Sequence, residues 1–234
     1  MITEQLNVAS GGYSRTVWLH AASGAAAHPL CVFLDGEYYL EKLCALPVLA
    51  AAMADGVLPQ LSLLFVASNG PQSRHEDYAC NDRFARFVAD DLVRFARTRV
   101  GSIREDRHLV CGLSLSGLAS AYVTLTAPHV FSAALSQSGS FWWNRTRFAT
   151  FARGASRIDS RHWLSVGDAE TDADATHAPS GMRQELSQIE GVRSAVEALT
   201  ERGAEVRHHV YRGGHAFDPW RDELVAALAW LLRD

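Results

Sequence analysis

Short apolar runs alternate along this chain with longer stretches whose apolar residues recur at helical spacing. The runs predict strands over residues 15–20, 30–35, 61–67, 108–112, 131–138, 162–167 and 205–211. The longer stretches predict helices over residues 82–99, 115–127, 182–203 and 218–232. Several strands are apolar on both faces, as parallel strands are when helices cover both sides of the sheet. The alternation therefore predicts an α/β fold with a mainly parallel central sheet and right-handed crossovers.

No sequence feature marks a boundary between domains. The 234 residues are enough to bury one substantial core, and the chain shows neither an internal repeat nor a low-complexity linker. We predict a single domain over residues 1–234. The longest polar stretch is residues 167–182, and loops of that length in a compact domain are usually functional or mobile. Whether it acts as a lid stays open.

Composition and charge limit the kinds of molecule that the chain is expected to bind. With 48% hydrophobic and 21% charged residues, the chain has the composition of a soluble globular protein. A net charge of −4 gives no reason to expect nucleic acid, whose binding depends on cationic contacts to phosphate. No apolar run approaches the roughly 20 residues of a membrane helix. Residues 1–17 lack the basic segment and apolar stretch of a secretory signal, so we expect a cytoplasmic protein.

The sequence VCGLSLSGLAS, residues 110–120, is the strongest indication of chemistry. An apolar strand runs through a sharp turn into a helix, which is the setting of the G-x-S-x-G nucleophile elbow. Small residues are needed two positions before and after the serine, because the two backbones nearly touch there. Gly112 and Ser116 occupy these positions around Ser114, whereas Leu118 fits poorly after Ser116. Ser114 is the candidate nucleophile, with a simple N-cap as the alternative.

A nucleophilic serine needs a base, and the base needs a third group that orients it. In the order typical of α/β hydrolases, the acid and then the histidine follow the serine. His215 lies in GGHAF, between the last predicted strand and the last predicted helix, and is the candidate base. The loop after the preceding strand offers Asp168, Glu170, Asp172 and Asp174. We select Glu170, with Asp172 and Asp168 as alternatives, because spacing does not decide among them.

The tetrahedral intermediate of acyl transfer needs two backbone N–H groups aimed at its oxyanion. One is expected from Leu115, which follows Ser114. The other is expected from Glu37 in VFLDGEYYL, because Gly36 allows a sharp turn after an early strand. The alternative is that Asp35 and Gly36 form an ordinary turn without a catalytic role.

Four stretches together carry a family resemblance: LDGEYY, SRHEDYACN, DRHLVCGLSLSGLASAYVTLTAPHVFSAALSQSGSFWW and GGHAFDPWRDEL. From about residue 30 to its C-terminus, the chain resembles the esterase family that includes the enterochelin (enterobactin) esterases, relatives of esterase D and the feruloyl esterases. The block from Asp106 to Trp143 is the most specific part. The resemblance implies an α/β-hydrolase fold. In the siderophore members it also implies cleavage of the ester bonds in a cyclic trilactone of catechol-bearing serines.

Carried over by position, the resemblance implies Ser114 as nucleophile, His215 as base and Glu170 as acid. It implies the amides of Glu37 and Leu115 as the oxyanion donors. Two departures stand out. A serine occupies position 116, where the siderophore esterases usually have glycine, and the chain has no room for the N-terminal β-rich domain of longer members.

The resemblance also implies a substrate-contacting stretch at Arg74, Asp77, Cys80 and Asn81. Arg74 is able to bind an anionic or aromatic substrate group through charge-assisted hydrogen bonds. The alternative for Arg74 and Asp77 is a structural ion pair that braces the loop. Trp142 is a candidate for lining the acyl or catechol pocket, although tryptophans are also common core anchors.

The predicted function is a serine esterase that acts on a small-molecule ester through an acyl-enzyme. The alternatives are an acyltransferase, an esterase for feruloyl-type or other small acyl esters, and a non-catalytic binding protein with the same fold. A metallohydrolase is weaker, because RHED (74–77) is not HExxH and because Asp172, Asp174 and His177 merely share a polar loop. The four cysteines lack a CxxC spacing, which argues against a zinc or redox site. Because the acyl-enzyme mechanism needs neither a metal nor an organic cofactor, we expect none. The sequence gives no indication of oligomeric state.

Overall fold

A computed structural model describes residues 3–233; residues 1, 2 and 234, which the predicted domain includes, lie outside this range. Within it, one sheet contains eight strands, and a separate hairpin contains two. The eight are β1 (Thr3–Ser10), β2 (Tyr13–His20), β3 (Leu30–Leu34), β4 (Ser62–Val66), β5 (His108–Leu113), β6 (Phe131–Gln137), β7 (Arg161–Gly167) and β10 (Glu205–Tyr211). The hairpin consists of β8 (Ala175–His177) and β9 (Met182–Gln184).

The strand order in the sheet is β1-β2-β4-β3-β5-β6-β7-β10. The strands from β4 to β10 pair in parallel, and β2 pairs antiparallel with both β1 and β4. The predicted mainly parallel sheet is therefore confirmed, with an antiparallel edge. Since parallel strands share an edge for their carboxyl ends, the loops after β3, β5, β7 and β10 open on one side of the sheet.

Helices cover both faces of this sheet. They are α1 (Gly36–Glu41), α2 (Ala45–Ala54), α3 (Pro71–Asp77), α4 (Asp82–Arg86), α5 (Val93–Arg99), α6 (Leu115–Thr126), α7 (Trp143–Arg153), α8 (Gln188–Glu201) and α9 (Phe217–Leu231). A π-helical segment, Phe87–Leu92, joins α4 to α5, so the predicted helix over 82–99 is continuous. None of the helices in residues 3–233 is long and apolar enough to cross a membrane.

The side chains of each central strand divide between two apolar clusters. Along β3, Leu30, Val32 and Leu34 pack into one cluster, whereas Cys31 and Phe33 pack into the other. The first cluster includes residues of α4, α6, α7 and α8, and the second includes residues of α1, α2 and α9. Alternate side chains of a strand point to opposite faces, so a strand apolar on both faces needs helices on both sides. The structure meets that expectation of an α/β-hydrolase fold.

The region from 167 to 203 differs from its prediction. Residues 182–184 form β9 instead of the start of a helix, and β9 pairs antiparallel with β8 inside the expected loop. The helix begins only after Ser187, whose hydroxyl accepts a hydrogen bond from the Glu190 N–H while the Glu190 carboxylate accepts one from the Ser187 N–H. This capping box starts the helix later than apolar spacing indicates.

Candidate active site

Ser114 lies in the turn between β5 and α6 with a strained backbone. Its φ of 55° and ψ of −120° are outside the regions that residues other than glycine usually adopt. Backbone hydrogen bonds hold this conformation. The Ser114 N–H donates to the Gln137 carbonyl at 2.8 Å, and the Ser114 carbonyl accepts from the N–H groups of Gly117 and Ser140, both at 3.0 Å. Such strain, maintained by surrounding structure, is typical of functional sites.

The close approach of strand and helix explains the small residues around this turn. A Cβ atom at Gly112 would collide with the carbonyl group of Ser116, and one at Gly117 would lie 2.9 Å from the Ser136 hydroxyl. Ser116 is tolerated because its fully buried side chain turns back onto the strand. Its Oγ accepts from the Leu113 N–H at 2.9 Å and donates to the Leu113 carbonyl at 2.8 Å. Ser116 therefore closes the turn.

Ser114 lines a cavity of about 350 Å³ at the carboxyl edge of the parallel strands. Of the predicted residues, Ser114, Leu115, Glu170, His215, Arg74 and Trp142 line it. Asp172, an alternative for the acid, also lines it, and the rest of the wall is formed by His75, Ser140, Ala169, His177, Met182, Gln184, Gln188 and Gly214. The structure thus brings together side chains from distant parts of the chain, since Ser114 follows β5, Glu170 follows β7 and His215 follows β10.

Glu170 is hydrogen-bonded at both carboxylate oxygens. Its Oε1 accepts from the Ser138 hydroxyl, the Tyr211 hydroxyl and the Gly167 N–H, each at 2.7 Å. Its Oε2 lies 2.6 Å from Nδ1 of His215. The residue is only 7% exposed. This arrangement is what an acid that orients a histidine base requires.

The alternative acids have other contacts. Asp168 is exposed, and its Oδ1 accepts from the Gly213 N–H at 2.8 Å, which fixes the loop before the histidine. Asp172 lines the cavity, but its hydrogen bond is made by its backbone carbonyl, which accepts from the Gln184 amide at 2.9 Å. The geometry therefore favours Glu170 as the partner of His215.

The environment keeps Glu170 ionised. Burial raises the pKa of Glu170, but hydrogen bonds from His215, Ser138 and the Gly167 N–H outweigh it, so the pKa lies below its usual value. A carboxylate at this position accepts a proton from Nδ1–H of His215. In the neutral ring Nε2 is then the acceptor nitrogen, free to act as a base.

The two expected oxyanion donors differ in their placement. Leu115 lines the cavity and is the first residue of α6, where backbone N–H groups have no partner within the helix. Glu37 lies in the first turn of α1 and is not among the lining residues. Its carboxylate accepts from the Ser68 N–H at 3.1 Å. Gly36 packs so closely on β4 that a Cβ would collide with the Val66 N–H, so the predicted sharp turn is present.

Arg74 lines the cavity, but its ion-pair partner is Asp35. Its Nε lies 3.0 and 2.9 Å from the two carboxylate oxygens of Asp35, and its Nη2 lies 2.8 Å from Oδ2. Asp77 instead pairs with Arg15 on β2. The ion pair considered between Arg74 and Asp77 is therefore wrong. Asp35 is the better partner because it is fully buried beside the cavity and needs a cation.

Asp77 and Asn81 lie outside the cavity lining. The Asn81 side chain caps α4, since its Oδ1 accepts from the N–H groups of Arg83 at 2.9 Å and Phe84 at 3.1 Å. Both residues, which the resemblance implied as substrate contacts, thus have structural partners here. An N-cap role for Asn81 was visible in the sequence, since asparagine is a preferred cap and residue 82 begins a predicted helix.

The hairpin of β8 and β9 forms a wall of the cavity that sequence reasoning missed. His177 stacks on Trp142 with ring centroids 5.1 Å apart and an interplanar angle of 16°. His75 of α3 lies 2.5 Å from the Ser180 hydroxyl at the hairpin turn. A hydrogen bond fixes the Trp142 ring, because its Nε1 donates to the Gln188 side chain at 2.6 Å. Three-residue strands are too short to show alternation, so periodicity does not indicate this wall.

A metallohydrolase, the weaker alternative, would need a group of metal-ligating side chains. No group of three or more His, Cys, Asp or Glu side chains in that range is arranged to hold a metal ion. Of the polar-loop residues considered for it, His177 stacks on Trp142, and Asp174 pairs with Arg183 at 3.4 Å.

Comparison with known proteins finds esterases. A family model described as Putative esterase matches residues 14–231. The iron(III) enterobactin esterase of Dickeya dadantii (strain 3937) is 34% identical over 230 residues, which cover 93% of this chain and 52% of that protein. The iron(III) salmochelin esterase of Escherichia coli O6:H1 is 24% identical over 94% of this chain and 55% of its own length. The chain thus spans about half the length of these relatives.

Solved structures show the same fold. The enterobactin esterase of Shigella flexneri, crystallised in the presence of enterobactin, superposes with a TM-score of 0.83 at 24% identity, over 99% of this chain and 59% of that one. A ferulic acid esterase superposes with a TM-score of 0.75 at 14% identity, over 98% of this chain and 96% of its own.

Proposed function

The chain belongs to the Putative esterase family, and from this premise we propose that it is a serine esterase for catecholate siderophore trilactones of the enterobactin type. The observation that carries the proposal is the 2.6 Å contact between Glu170 and Nδ1 of His215, in the cavity that Ser114 also lines. An oriented histidine beside a serine in a strained strand-to-helix turn is the arrangement that activates a hydroxyl nucleophile.

The proposed reaction proceeds through an acyl-enzyme. Ser114 Oγ attacks the ester carbonyl carbon while His215 Nε2 takes the hydroxyl proton, and the Glu170 carboxylate stabilises the resulting imidazolium. The amides of Leu115 and Glu37 bind the oxyanion of the tetrahedral intermediate. The alcohol leaves with the proton from His215. Water then attacks the acyl-enzyme with His215 as base, which releases the acid and restores Ser114.

The substrate class rests on the relatives named as iron(III) enterobactin and salmochelin esterases. Two features of the cavity support it. Trp142 offers an aromatic face at the wall, and Arg74 offers the guanidinium donors that Asp35 does not occupy. Aromatic stacking and guanidinium hydrogen bonds suit the catechol amide arms of such a trilactone.

The rest of the proposal concerns organisation and location. We propose that the chain works as one domain, since one sheet runs through it from β1 to β10. We also propose a cytoplasmic location, in keeping with four cysteines that are all free, including Cys31 and Cys111, whose Sγ atoms lie 3.4 Å apart. Cell fractionation tests the location. Recovery in the periplasm or culture medium would contradict it.

Hydrolysis of three esters by three proteins tests the activity. The substrates are a ferric enterobactin-type trilactone, methyl ferulate and p-nitrophenyl acetate, and the proteins are the wild type, Ser114→Ala and Ser116→Ala. We expect the trilactone to be the best wild-type substrate by kcat/KM. We expect Ser114→Ala to lose activity by several orders of magnitude on every substrate, and Ser116→Ala to keep most of it.

Three outcomes would contradict the proposal. If Ser116→Ala lost activity while Ser114→Ala kept it, or if a fluorophosphonate probe failed to label the wild type at Ser114, the nucleophile would be wrong. A kcat/KM for methyl ferulate above that for the trilactone would overturn the substrate class. Product analysis with an added alcohol distinguishes hydrolysis from acyl transfer.

A further inference from the structure

A closed set of hydrogen bonds lies behind Glu170, on the side away from the cavity. Nε1 of Trp220 is 3.1 Å from the Ser138 hydroxyl and 2.9 Å from the Tyr211 hydroxyl. The two hydroxyl oxygens are 2.7 Å apart, and each is 2.7 Å from Oε1 of Glu170. Trp220 therefore contacts both side chains that hold the carboxylate.

The number of available protons determines which groups donate and which accept in this set of hydrogen bonds. Each hydroxyl has one proton, so it can donate either to Glu170 or to the other hydroxyl. The indole N–H can only donate, so both hydroxyl oxygens act as acceptors towards Trp220. Their protons then remain available for Oε1 of Glu170. Without the indole N–H, each hydroxyl oxygen regains an acceptor site, so a hydrogen bond between the two hydroxyls at 2.7 Å competes with one of the hydrogen bonds to Glu170.

The surrounding structure fixes each member of the set. Trp220 is 2% exposed, and its carbonyl accepts from the Gln137 amide at 2.7 Å. Ser138 is held with a positive φ of 46°, and its N–H donates to the Ser165 carbonyl at 2.9 Å. A non-glycine residue in this conformation costs free energy, and the surrounding contacts must maintain it. The result is a Ser138 hydroxyl aimed at both Glu170 and Trp220.

Trp220 also contacts the base directly. Its ring meets the His215 ring edge to face, with centroids 4.8 Å apart and an interplanar angle of 90°. One side chain therefore packs against the histidine and supports the hydrogen bonds of its acid. Trp220 is not among the residues that line the cavity.

We propose that Trp220 is a positioning residue of the Glu170–His215 pair, and that its N–H directs the Ser138 and Tyr211 hydroxyl protons onto Glu170. This inference rests on the proposed esterase function, because it assigns a role within that site. The inference goes beyond that function by naming a side chain that lies outside the cavity and controls turnover. Its effect is on the orientation and ionisation of Glu170, so it acts in the transition state and not in substrate binding.

The test replaces Trp220 with phenylalanine, which keeps an aromatic ring beside His215 and removes the N–H. Loss of one hydrogen bond to a charged group predicts that kcat falls about ten- to thirty-fold, with KM within about twofold. The downfield proton NMR signal of Nδ1–H of His215 is expected to shift or broaden, because the Glu170 acceptor is less well held. A merely structural defect would not move this signal selectively.

Trp163→Phe is the matched control. Trp163 is 5% exposed, and its Nε1 donates to another buried carboxylate, that of Glu223, at 3.1 Å. This variant also removes a buried indole N–H, and we expect it to leave kcat and the His215 signal unchanged. If Trp163→Phe lowered kcat as much as Trp220→Phe does, the effect would be general loosening of the core, and the proposal would be overturned.

Tyr211→Phe shows whether Trp220 acts through the hydroxyls. With the Tyr211 hydroxyl absent, Ser138 has no competing acceptor and keeps donating to Glu170. Adding Trp220→Phe to this background should therefore lower kcat by less than about threefold, far less than in the wild type. If the two effects multiplied fully, the ring contact with His215 would be responsible, and the hydroxyl route would be refuted.

Failure of this inference is distinguishable from failure of the esterase function. If the wild type hydrolyses esters and labels at Ser114 but Trp220→Phe matches it in kcat and in the His215 signal, only the positioning role is wrong. If the wild type neither labels nor hydrolyses, the proposed function is wrong. The NMR comparison still tests the hydrogen-bond set in that case.

Discussion

Within residues 3–233, two buried glutamates each face a histidine, and only one of these two pairs lines the cavity. Glu170 and Glu223 are both 7% exposed. Glu223 on α9 accepts hydrogen bonds from the side chains of Gln137 at 2.8 Å, Ser165 at 2.6 Å and Trp163 at 3.1 Å. Its histidine, His209 on β10, lies 3.8 Å away, compared with 2.6 Å between Glu170 and its own. Neither Glu223 nor His209 lines the cavity.

The two glutamates respond to burial in opposite ways. Burial raises the pKa of Glu223, and its three hydrogen bonds only partly offset this. At Glu170, the close imidazole, the hydroxyl of Ser138 and a backbone N–H outweigh burial, so the pKa is lowered. Similar contacts thus raise the pKa of the Glu223 carboxyl and lower that of the Glu170 carboxyl. A glutamate beside a histidine is therefore not by itself evidence of catalysis.

The largest expected difference between the pairs is in turnover. Glu170→Gln keeps the shape of the side chain but places an amide against Nδ1 of His215, which favours the wrong tautomer. We expect kcat to fall by about 10⁴-fold, the loss seen when the corresponding aspartate of serine proteases is replaced by its amide. Glu223→Gln should keep kcat within about threefold. Comparable losses in steady-state assays of both variants would show that the two pairs do not differ in function.

A neighbouring carboxylate provides a second comparison. Asp172 lines the same cavity, but it is exposed, and its hydrogen bond runs from its backbone carbonyl to Gln184 and not to His215. Asp172→Asn should lower kcat/KM by less than about fivefold, because no hydrogen bond to the base is lost. If this variant lost as much activity as Glu170→Gln, Asp172 would be the acid, and the 2.6 Å contact of Glu170 would have a structural role.

The pH dependence of stability should have opposite signs in the two pairs. The folded-state pKa of Glu170 is lowered, so its stabilising contribution is present above the ordinary glutamate pKa and is lost as pH falls through the folded value. The folded-state pKa of Glu223 is raised, so its contribution is present below the ordinary value and is lost as pH rises through the folded one.

Urea unfolding of the wild type and each Gln variant between about pH 3 and about pH 7 measures these contributions. The stability advantage of the wild type over Glu170→Gln should grow as pH rises, by at most about 1.4 kcal/mol per pH unit. The advantage over Glu223→Gln should shrink over its own window. Parallel slopes in the two comparisons would contradict the difference in environment.

The sequence indicates the candidate catalytic residues more clearly than it indicates the walls of the cavity around them. Ser114 and His215 are identifiable because each follows a strand at the same edge of the sheet. Glu170 is selected from an acidic loop, and spacing alone did not separate it from Asp168 and Asp172. What separates it is the 2.6 Å contact with Nδ1 of His215, 45 positions away in the chain. Periodicity carries no information about such long-range partners.

The error at Arg74 has the same origin. The ion pair considered as the alternative for Arg74 joins it to Asp77, three positions along the chain, whereas the structure supplies Asp35, 39 positions away. The hairpin of β8 and β9 and the short helices α1 and α3 also gave no signal, because they are too short to show a repeating apolar pattern. Helix α2 was missed for another reason. Its sequence, ALPVLAAAMA, is apolar on nearly every face and has no stripe.

The smallest expected effect concerns the histidine of the second pair. His209 is 37% exposed at its side chain and lies 3.8 Å from Glu223, so the contact is weak and partly screened by solvent. His209→Gln should change the free energy of unfolding by less than about 1 kcal/mol and leave kcat/KM unchanged, because Gln137, Ser165 and Trp163 still hold Glu223. The corresponding His215→Gln should abolish turnover while barely changing stability. Unfolding curves and steady-state rates measured on both variants test these expectations. A large loss of activity in His209→Gln would contradict them. It would show that the Glu223–His209 pair affects Ser114 through Gln137, whose carbonyl accepts from the Ser114 N–H.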